Sequence, residues 1–237
     1  MCQDCGCGDE NLVPIDVQQR ILSRNDSVAA HNRAHFQERA IFAVNLMGSP
    51  GSGKTAVLEA TAKAFNSGTK LAAFAGDLAT DNDAARLQNA GIRSKAITTG
   101  QACHLDAEMV HHALHHFDLG GVEYFFIENV GNLVCPAVYD LGQAVNVVAL
   151  SVTEGEDKPL KYPTMFAKAD LVLLTKVDLL FHLRNVQVGA IYDSLGKVMP
   201  NPQVISLSSV EGAGIPRWID WLKNRREQLA RTEVLQA

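Results

Sequence analysis

The sequence predicts an α/β fold with a mostly parallel central sheet of about seven strands and helices on both faces. Apolar runs without polar alternation recur along the chain, and helical patterns separate them. Strands of this kind are buried on both faces, with the helices as crossovers. The first run, residues 41–47, leads into a glycine-rich loop and then a helical pattern over residues 56–65. We therefore expect a P-loop nucleotide-binding protein.

The overall composition suits one large domain with an appendage at its amino end. The chain has 237 residues, of which 47% are hydrophobic and 20% charged. We expect a cysteine-containing tail over residues 1–10, a helical lead over residues 11–39 and a nucleotide-binding domain over residues 40–237. The lead should form one or two helices, with residues 25–27 breaking or capping the pattern.

Charge and hydropathy exclude several classes of protein. A net charge of −5 argues against a general nucleic-acid binder, because there is no basic surplus to neutralise phosphates. No apolar run approaches the ~20 residues needed to span a bilayer. The amino terminus lacks the basic and apolar regions of a signal peptide. We expect a cytoplasmic protein whose five cysteines are reduced thiols or metal ligands.

Three of those cysteines, Cys2, Cys5 and Cys7, lie within the first eight residues. With glycines between them and no apolar neighbours, they do not suit a core. Thiolates at this spacing suit a soft or borderline divalent ion, with the terminal amine as a fourth ligand. The alternative is a disordered tail with reactive thiols.

The glycine-rich loop fits the G-x-x-x-x-G-K-[ST] pattern at every fixed position. Its backbone N–H groups and the following helix N-terminus would surround phosphate oxygens. Lys54 would reach the β- and γ-phosphates, and the Thr55 hydroxyl would hold Mg²⁺. The nucleotide-binding residues predicted here are Gly48, Ser49, Pro50, Gly51, Ser52, Gly53, Lys54 and Thr55.

A second buried strand, over residues 70–75, delivers carboxylates to the same edge of the sheet. Open α/β sheets bind ligands at the carboxyl ends of their strands. Asp77 is therefore a candidate to organise Mg²⁺ or the attacking water, and Asp81 is a second candidate. Asp81 or Asp83 could instead cap the next helix, and for Asp83 we prefer the capping role.

A short strand over residues 95–99 precedes Cys103 and His104, which open a predicted helix over residues 105–117. A helical wheel puts His104, Glu108, His111 and His115 in one stripe, opposite Leu105, Met109, Ala113 and Phe117. A lone histidine would usually be structural. A Cys-His pair at the head of such a stripe favours metal ligation, and Glu108, His111 and His115 are further candidate ligands.

The strand over residues 122–127 delivers Glu128 to the phosphate edge. Glu128 would contact Mg²⁺ through water or position the nucleophile, and the Gly131 N–H would sense the γ-phosphate. Cys135 follows only seven residues after Glu128. If it binds a metal, one segment would respond to both phosphate and metal.

The carboxyl-terminal part adds strands over residues 145–152, 170–178 and 203–208. Helices are expected over residues 160–167, 181–195 and 215–231, and a second base-contacting loop over residues 208–214. The sixth strand ends in Thr175, Lys176 and Asp178, where GTPases commonly have N-K-x-D. Asp178 would accept hydrogen bonds from guanine, and the Lys176 stem would pack along the base. The alternative for Asp178 is a helix N-cap.

Together these motifs resemble the HypB family, the GTPases that help insert nickel into [NiFe]-hydrogenase precursors. The resemblance runs nearly end to end. It rests on C-x-x-C-G-C-G, G-S-P-G-S-G-K-T, G-D-L-A-T-D, C-H-L-D-A, E-N-V-G-N-L-V-C-P and D-K-P-L-K-Y-P.

The resemblance implies a SIMIBI-class GTPase that forms a homodimer when nucleotide is bound. It implies a nickel or zinc site at the dimer interface from Cys103, His104 and Cys135, and an amino-terminal nickel site from Cys2, Cys5 and Cys7. It also implies GTP or GDP with Mg²⁺, and as partners a HypA-type nickel chaperone and the hydrogenase large-subunit precursor. Lys54, Asp77 and Glu128 would be the catalytic residues. Hydrolysis should be slow, since the sequence indicates no arginine near the phosphates.

Three departures qualify what the resemblance implies. Many members have histidine at the position of Glu108, which changes the selectivity expected of the interface site. Thr175 replaces the usual asparagine, which weakens the expectation of guanine selectivity. The chain lacks the long histidine-rich stretch of some relatives, so we do not expect bulk nickel storage. The alternatives are a urease-type nickel GTPase, or a metal buffer with vestigial nucleotide binding.

Overall fold

Seven parallel strands form one sheet in the part of the chain that the structure describes. The structure is a computed structural model, and it describes residues 15–65, 68–100 and 102–236. The strands are β1 (Phe42–Gly48), β2 (Leu71–Asp77), β3 (Arg93–Thr98), β4 (Tyr124–Glu128), β5 (Val145–Ser151), β6 (Leu171–Thr175) and β7 (Val204–Ser206). Their order across the sheet is β3-β2-β4-β1-β5-β6-β7, and every neighbouring pair is parallel. The predicted fold class is confirmed.

Helices cover both faces of this sheet. They are α1 (Ile15–Gln37), α2 (Lys54–Ala64), α3 (Asn82–Asn89), α4 (Ala107–His115), α5 (Lys158–Lys161), α6 (Pro163–Ala167), α7 (Val188–Val198) and α8 (Ile215–Gln236). Short 3-10 helices span Cys135–Ala137 and Val177–Phe181.

Strand β4 illustrates why the sheet needs two covering layers. Tyr124 and Phe126 belong to the apolar cluster that includes α2 and α8, whereas Phe125 and Ile127 belong to the cluster that includes α1 and α4. Successive side chains of a strand point to opposite faces, so an uninterrupted apolar run requires both faces to be buried.

The position of β1 creates the ligand crevice. On one side of β1 lie β4, β2 and β3, and on the other side lie β5, β6 and β7. The chain therefore continues towards opposite sides of the sheet after the central strands. A crevice opens between these connections, at the carboxyl ends of the strands. The loop after β1, the last residue of β4 and the loop after β6 all reach this edge.

The lead is one helix, which is one of the two alternatives predicted, and two other helix predictions were wrong in detail. α1 continues through residues 25–27 without a break, because Asn25 bonds to the rest of the fold: its amide donates to the Asp140 carbonyl (2.8 Å) and accepts the Ala107 N–H (2.9 Å). The helix expected over residues 160–167 is two short helices that meet at Pro163, which cannot donate a backbone hydrogen bond. The helix expected over residues 181–195 begins only at Val188.

No helix among the described residues is long and apolar enough to cross a membrane. The cysteines of the amino-terminal tail, Cys2, Cys5 and Cys7, lie outside the described residues.

Candidate functional site

The loop between β1 and α2 has a backbone that requires glycine at its first position. Gly48 has a φ of 149°, and a Cβ there would lie 2.4 Å from the Ala149 carbonyl oxygen. A side chain at this position is therefore excluded by both strain and space. The loop begins at the end of β1, and α2 begins at Lys54, as a phosphate-binding loop requires.

Lys54 is buried against this loop. Its Nζ donates to the carbonyl oxygens of Gly48 (3.2 Å) and Ser49 (3.1 Å). Burial lowers the pKa of Lys54, and the nearby carboxylates of Glu128, Asp83 and Glu154 partly oppose that effect. The ammonium group is thus held at the loop by weak neutral acceptors, which phosphate oxygens would readily replace.

Thr55 joins two carboxylates at the start of α2. Its Oγ1 lies 2.7 Å from Oε1 of Glu128 and 3.0 Å from Oδ1 of Asp83. Glu128 is 3% exposed, and its Oε2 is buried without a hydrogen-bond partner among the residues that the structure describes. Burial raises the pKa of Glu128 to about 7, against the lowering effects of Thr55 and Lys54.

Asp83 is a site residue that the sequence reasoning missed. It was expected to cap α3, but the cap position is Asp81, whose side chain makes no capping hydrogen bond. Asp83 lies in the first turn and reaches Thr55 and Arg86 instead. The sequence gives no signal for this role, because acidic residues are common in the first turn of helices, where they interact favourably with the helix dipole.

Asp77 has a different role from Asp83. Its carboxylate accepts the Leu78 N–H and the Thr80 hydroxyl, so it stabilises its own loop. Thr55, by contrast, bonds to Asp83 and Glu128. Asp77 still lines the same cavity, at the end of β2.

The cavity at this edge has a volume of about 430 Å³ and brings most of the predicted nucleotide residues together. Its lining includes Pro50, Gly51, Gly53, Lys54, Thr55, Asp77, Asp83, Arg86, Glu128, Gly131 and Lys176. Asp178 is absent from the described lining and lies within the 3-10 helix Val177–Phe181, whose cap is Lys176. A larger cavity of about 610 Å³ lies at the opposite edge, beside Phe42 and Tyr124, and includes none of these groups.

Arg86 is an arginine near the phosphate loop that the sequence did not reveal. It lines the cavity from α3, but its guanidinium pairs with Glu59 at 2.8 Å and with Asp83 at 3.3 Å. In this arrangement its charge is directed at those carboxylates.

The end of β6 contacts the phosphate loop directly. Thr175 Oγ1 donates to the Ser52 carbonyl oxygen at 2.6 Å, and Lys176 Nζ donates to the Gly51 carbonyl oxygen at 2.7 Å. Thr175 is buried, and Lys176 has a left-handed backbone with a φ of 60°. Thr175 thus connects the end of β6 to the loop between β1 and α2.

Cys103, His104 and Cys135 come together beside this site. Their candidate ligand atoms lie within 4.8 Å of one another, with Cys103 Sγ 3.2 Å from Cys135 Sγ and 3.9 Å from His104 Nδ1. The hydrogen bond from Cys103 raises the pKa of the Cys135 thiol, and burial lowers the pKa of His104. Tyr139 stacks on the His104 ring with centroids 4.0 Å apart, which fixes the orientation of the imidazole.

The other candidate ligands lie apart from this group. Glu108 pairs with Arg24 at 3.1 Å, and His111 contacts His115 with 3.0 Å between their Nε2 atoms. His104 precedes α4, so it does not share the helical stripe predicted for it. Cys103, His104 and Cys135 form the one group of three or more such residues, among those described, whose ligand atoms all lie within 4.8 Å of one another.

A buried asparagine connects the nucleotide site to this group. Asn129 follows Glu128, and its Oδ1 accepts the backbone N–H of Leu105 at 3.1 Å. Further along, Asn132 bridges to Gly48, and a Cβ on Gly131 would lie 2.9 Å from Pro50. The segment from Glu128 to Cys135 therefore packs on the phosphate loop at one end and reaches the thiol pair at the other.

Comparison with known proteins identifies the family. Residues 42–205 match the nucleotide-binding domain of the CobW/HypB/UreG family. The chain belongs to the CobW/HypB/UreG family. Its nucleotide-binding domain therefore contains the phosphate loop, Glu128 and the thiol pair described above.

Two curated relatives cover most of this CobW/HypB/UreG chain. It is 49% identical over 220 residues to the hydrogenase maturation factor HypB of Azotobacter vinelandii, covering 92% of this chain and 72% of the relative. It is 41% identical over 222 residues to the hydrogenase/urease maturation factor HypB of Helicobacter hepaticus, covering 92% and 90%.

A solved structure shares the fold of this CobW/HypB/UreG chain. The crystal structure of HypB from Helicobacter pylori in complex with nickel superposes with a TM-score of 0.82 at 38% identity, covering 86% of this chain and 96% of that one. The resemblance to the HypB family and the predicted SIMIBI-type P-loop fold are confirmed.

Proposed function

We propose that this chain is a GTP-hydrolysing nickel metallochaperone that acts in the maturation of [NiFe]-hydrogenase. One observation carries the proposal. A single segment runs from Glu128, at the phosphate loop, to Cys135, in the thiol group, and Asn129 links it to the residue after His104. The names of the matched relatives support hydrogenase maturation, and the nickel complex supports nickel as the cargo.

The nucleotide chemistry of the proposal is assigned to residues around the loop. Lys54 would exchange its two carbonyl acceptors for phosphate oxygens and offset the charge that develops during phosphoryl transfer. Glu128 would orient the attacking water, and Asp77 would support the loop after β2. The Gly131 N–H would sense the γ-phosphate. Lys176 and Asp178 would contact the guanine base.

The donor set beside Thr55 fits Mg²⁺. The Thr55 hydroxyl and the carboxylates of Asp83 and Glu128 are all oxygen ligands, which this ion prefers. The buried Oε2 of Glu128 has no partner in the described part of the chain, as expected of an atom that bonds to a hydrated cation. When bound, Mg²⁺ would neutralise charge on the β- and γ-phosphates. The sequence predicted Thr55 and Asp77 for this ion, and the contacts of Thr55 favour adding Asp83 and Glu128.

The cargo site consists of Cys103, His104 and Cys135. Two thiolates and one imidazole suit Ni²⁺, and they also suit Zn²⁺ as an alternative occupant. Three ligands leave a coordination position for a group from elsewhere. We propose that a second copy of the chain supplies it in a nucleotide-bound homodimer. Cys2, Cys5 and Cys7 would form a separate nickel site near the amino terminus.

Slow hydrolysis would then time the release of the ion. Loss of the γ-phosphate frees the segment that begins at Glu128, and this alters the position of Cys135 relative to Cys103. The Arg86 guanidinium is paired with Glu59 and Asp83, so a slow intrinsic rate is expected until a partner rearranges it. Nickel would pass to or from a HypA-type chaperone and the hydrogenase large-subunit precursor.

A second candidate is nickel delivery to urease, and it has one observation in its favour. The Helicobacter hepaticus relative is called a hydrogenase/urease maturation factor, so the same family serves both enzymes there. The third hypothesis is that the protein is a metal buffer with vestigial nucleotide binding. The close contact of Thr55 with Glu128 and Asp83 argues against the buffer.

The deciding experiment compares nickel affinity in three states: without nucleotide, with GDP, and with a non-hydrolysable GTP analogue. Mg²⁺ is held constant, and Lys54→Ala serves as the control that lacks nucleotide binding. We expect nickel affinity to differ at least about fivefold between GDP and the analogue, the lower end of typical allosteric coupling. Equal affinities in both states would leave only the buffer.

A further inference from the structure

Two histidines on α4 lie against each other in an arrangement that the nucleotide switch does not use. The Nε2 atoms of His111 and His115 are 3.0 Å apart, with the rings nearly perpendicular at 89°. We propose that His111 and His115 form a second metal site, specific for imidazole-preferring divalent ions such as Ni²⁺ or Zn²⁺. This inference goes beyond the proposed function and does not depend on it.

The hydrogen bonds of Asn32 determine which nitrogen of His111 is free. The Asn32 side chain is fully buried, and its amide nitrogen donates to the carbonyl oxygens of Ala107 (2.9 Å) and Leu141 (3.2 Å). Turning the amide over would set its oxygen against both carbonyls, so its orientation is fixed. Asn32 Oδ1 therefore accepts from His111 Nδ1 at 2.9 Å, and that nitrogen carries the proton.

The consequence is that the Nε2 lone pair of His111 points at His115. Metal-binding histidines usually donate their other ring N–H to an oxygen, which fixes the tautomer and the ring plane. Asn32 provides this support from α1 before any ion is bound. A neutral imidazole with Nε2 unprotonated is the form that coordinates a metal.

The separation of the two nitrogens matches a pair of adjacent ligands. Histidine nitrogens bind Zn²⁺ at about 2.0–2.1 Å. If both nitrogens stay 3.0 Å apart and each binds the ion at that Zn²⁺–nitrogen distance, the nitrogen–metal–nitrogen angle is roughly 95°. This angle lies near the octahedral value and within reach of the tetrahedral one after a small ring rotation. Residues four apart on a helix present their side chains on one face, so α4 provides the pair without strain.

Two further histidines, His31 and His35, lie on the facing helix. His31 acts electrostatically on His111, and His35 interacts with both His111 and His115. Both lie on α1, which packs along α4. The His35 ring accepts from Arg39 at 3.3 Å, and neither His31 nor His35 joins the pair in a group of three close ligand atoms among the described residues. Water would complete the shell, because His115 is exposed.

The simpler interpretation is a plain hydrogen bond in which His115 Nε2–H donates to His111. Binding of an ion requires that proton to move to His115 Nδ1 through solvent, with no change in the charge of the ring. A neighbouring pair provides a matched control. His112 on α4 and His116, the C-cap residue of α4, are also four residues apart, but their ring centroids are 5.5 Å apart, and no acceptor like Asn32 supports either ring among the described residues.

The experiment uses the full chain with all five cysteines changed to serine, so that no thiol can bind the added ion. Zn²⁺ alone is titrated, and the histidine ring nitrogens are followed by NMR; Ni²⁺ affinity is measured by calorimetry. We expect the Nε2 signals of His111 and His115 to shift together while the His111 Nδ1–H signal persists. The double variant H111A/H115A should weaken binding by about tenfold or more, and H112A/H116A should leave it unchanged.

Two outcomes would overturn the proposal: ring signals that do not respond to Zn²⁺, or equal loss of affinity in both double variants. If the serine variant fails to fold, the same ring signals are followed in the unmodified chain after its thiol sites have been filled with Zn²⁺. If the His111 and His115 ring signals shift when more Zn²⁺ is added, the result supports the site. If neither signal shifts, the result refutes it.

Discussion

Asn129 Oδ1 accepts the backbone N–H of Leu105 at 3.1 Å, and this bond connects the strand that ends in Glu128 to the residue that follows His104. Asn129 is 1% exposed, and its amide nitrogen also donates to Asn45 Oδ1 at 3.2 Å. A buried amide that bonds at both its oxygen and its nitrogen holds its neighbours in one arrangement. A shift of Glu128 should therefore move the segment that carries Cys103 and His104.

The first prediction is that Asn129→Ala uncouples nucleotide from metal. Removing the amide leaves the Leu105 N–H buried without an acceptor, at a cost of about 1–3 kcal/mol. We expect the ratio of nickel affinities in the GDP and GTP-analogue states to fall towards one, as measured by competition with a metal indicator. Thr61→Val is the control: it removes the acceptor of Trp218 Nε1 (2.9 Å) on the other face of the sheet. It should lower stability but preserve the ratio.

The second prediction concerns Asp83. Because Asp83 Oδ1 bonds to the Thr55 hydroxyl at 3.0 Å, Asp83→Asn should loosen the ligand set proposed for Mg²⁺. Residues that orient metal ligands typically change affinity or activity by about 10–100-fold. We expect the Mg²⁺ concentration needed for half-maximal GTP hydrolysis to rise by at least about tenfold. Asp81→Asn is the matched control, since the Asp81 side chain makes no capping bond. Equal effects of both variants would contradict the assignment.

The third prediction is a loss of stability with rising pH in the nucleotide-free protein, measured in a chelating buffer. Burial raises the pKa of Glu128 from its ordinary 4.5 to about 7. Between these values the unfolded chain releases a proton that the folded chain retains, so the free energy of unfolding falls as pH rises. The fall should be a few kcal/mol at most, at about 1.4 kcal/mol per pKa unit, and should level off above about pH 7.

Glu128→Gln provides the comparison for that measurement. The amide does not titrate, so denaturant unfolding of the variant should lose this part of the pH dependence. The variant should be more stable than the parent at pH above 7 and similar to it near pH 4.5. Parallel pH profiles in both proteins would mean that the pKa of Glu128 is the same in the folded and unfolded chains, and would contradict the prediction.

The sequence predicted the sheet and the phosphate loop because their signals are local. Apolar runs identify the strands, and Gly48 to Thr55 form one contiguous motif. The resemblance to the HypB family implied that Cys103, His104 and Cys135 belong together, and their candidate ligand atoms do lie within 4.8 Å of one another. The sequence failed for Asp83 and Arg86, whose roles depend on how α3 is rotated against α2. No local pattern encodes that rotation.

Side-chain partners across helices were equally hidden in the sequence. The helical wheel grouped His104 with His111 and His115, but the helix begins at Ala107, and Asn32 of α1 turns His111 towards His115. Asn25 shows the same limit. Its residue type suggested a break in α1, whereas its amide bonds to Asp140 and Ala107. Such long-range hydrogen bonds override local propensity.

The last prediction separates the two thiol sites. Cys103→Ala removes the thiol 3.2 Å from Cys135 Sγ and should abolish the nickel site that responds to nucleotide. Cys2→Ala should abolish the amino-terminal site and leave that response intact. The measurement is nickel stoichiometry and affinity for each variant, with GDP and with a non-hydrolysable GTP analogue. Because the ligands of the two sites come from separate parts of the chain, each substitution should remove one class of bound ion. Simultaneous loss of both classes in either variant would mean that the cysteines form a single shared site.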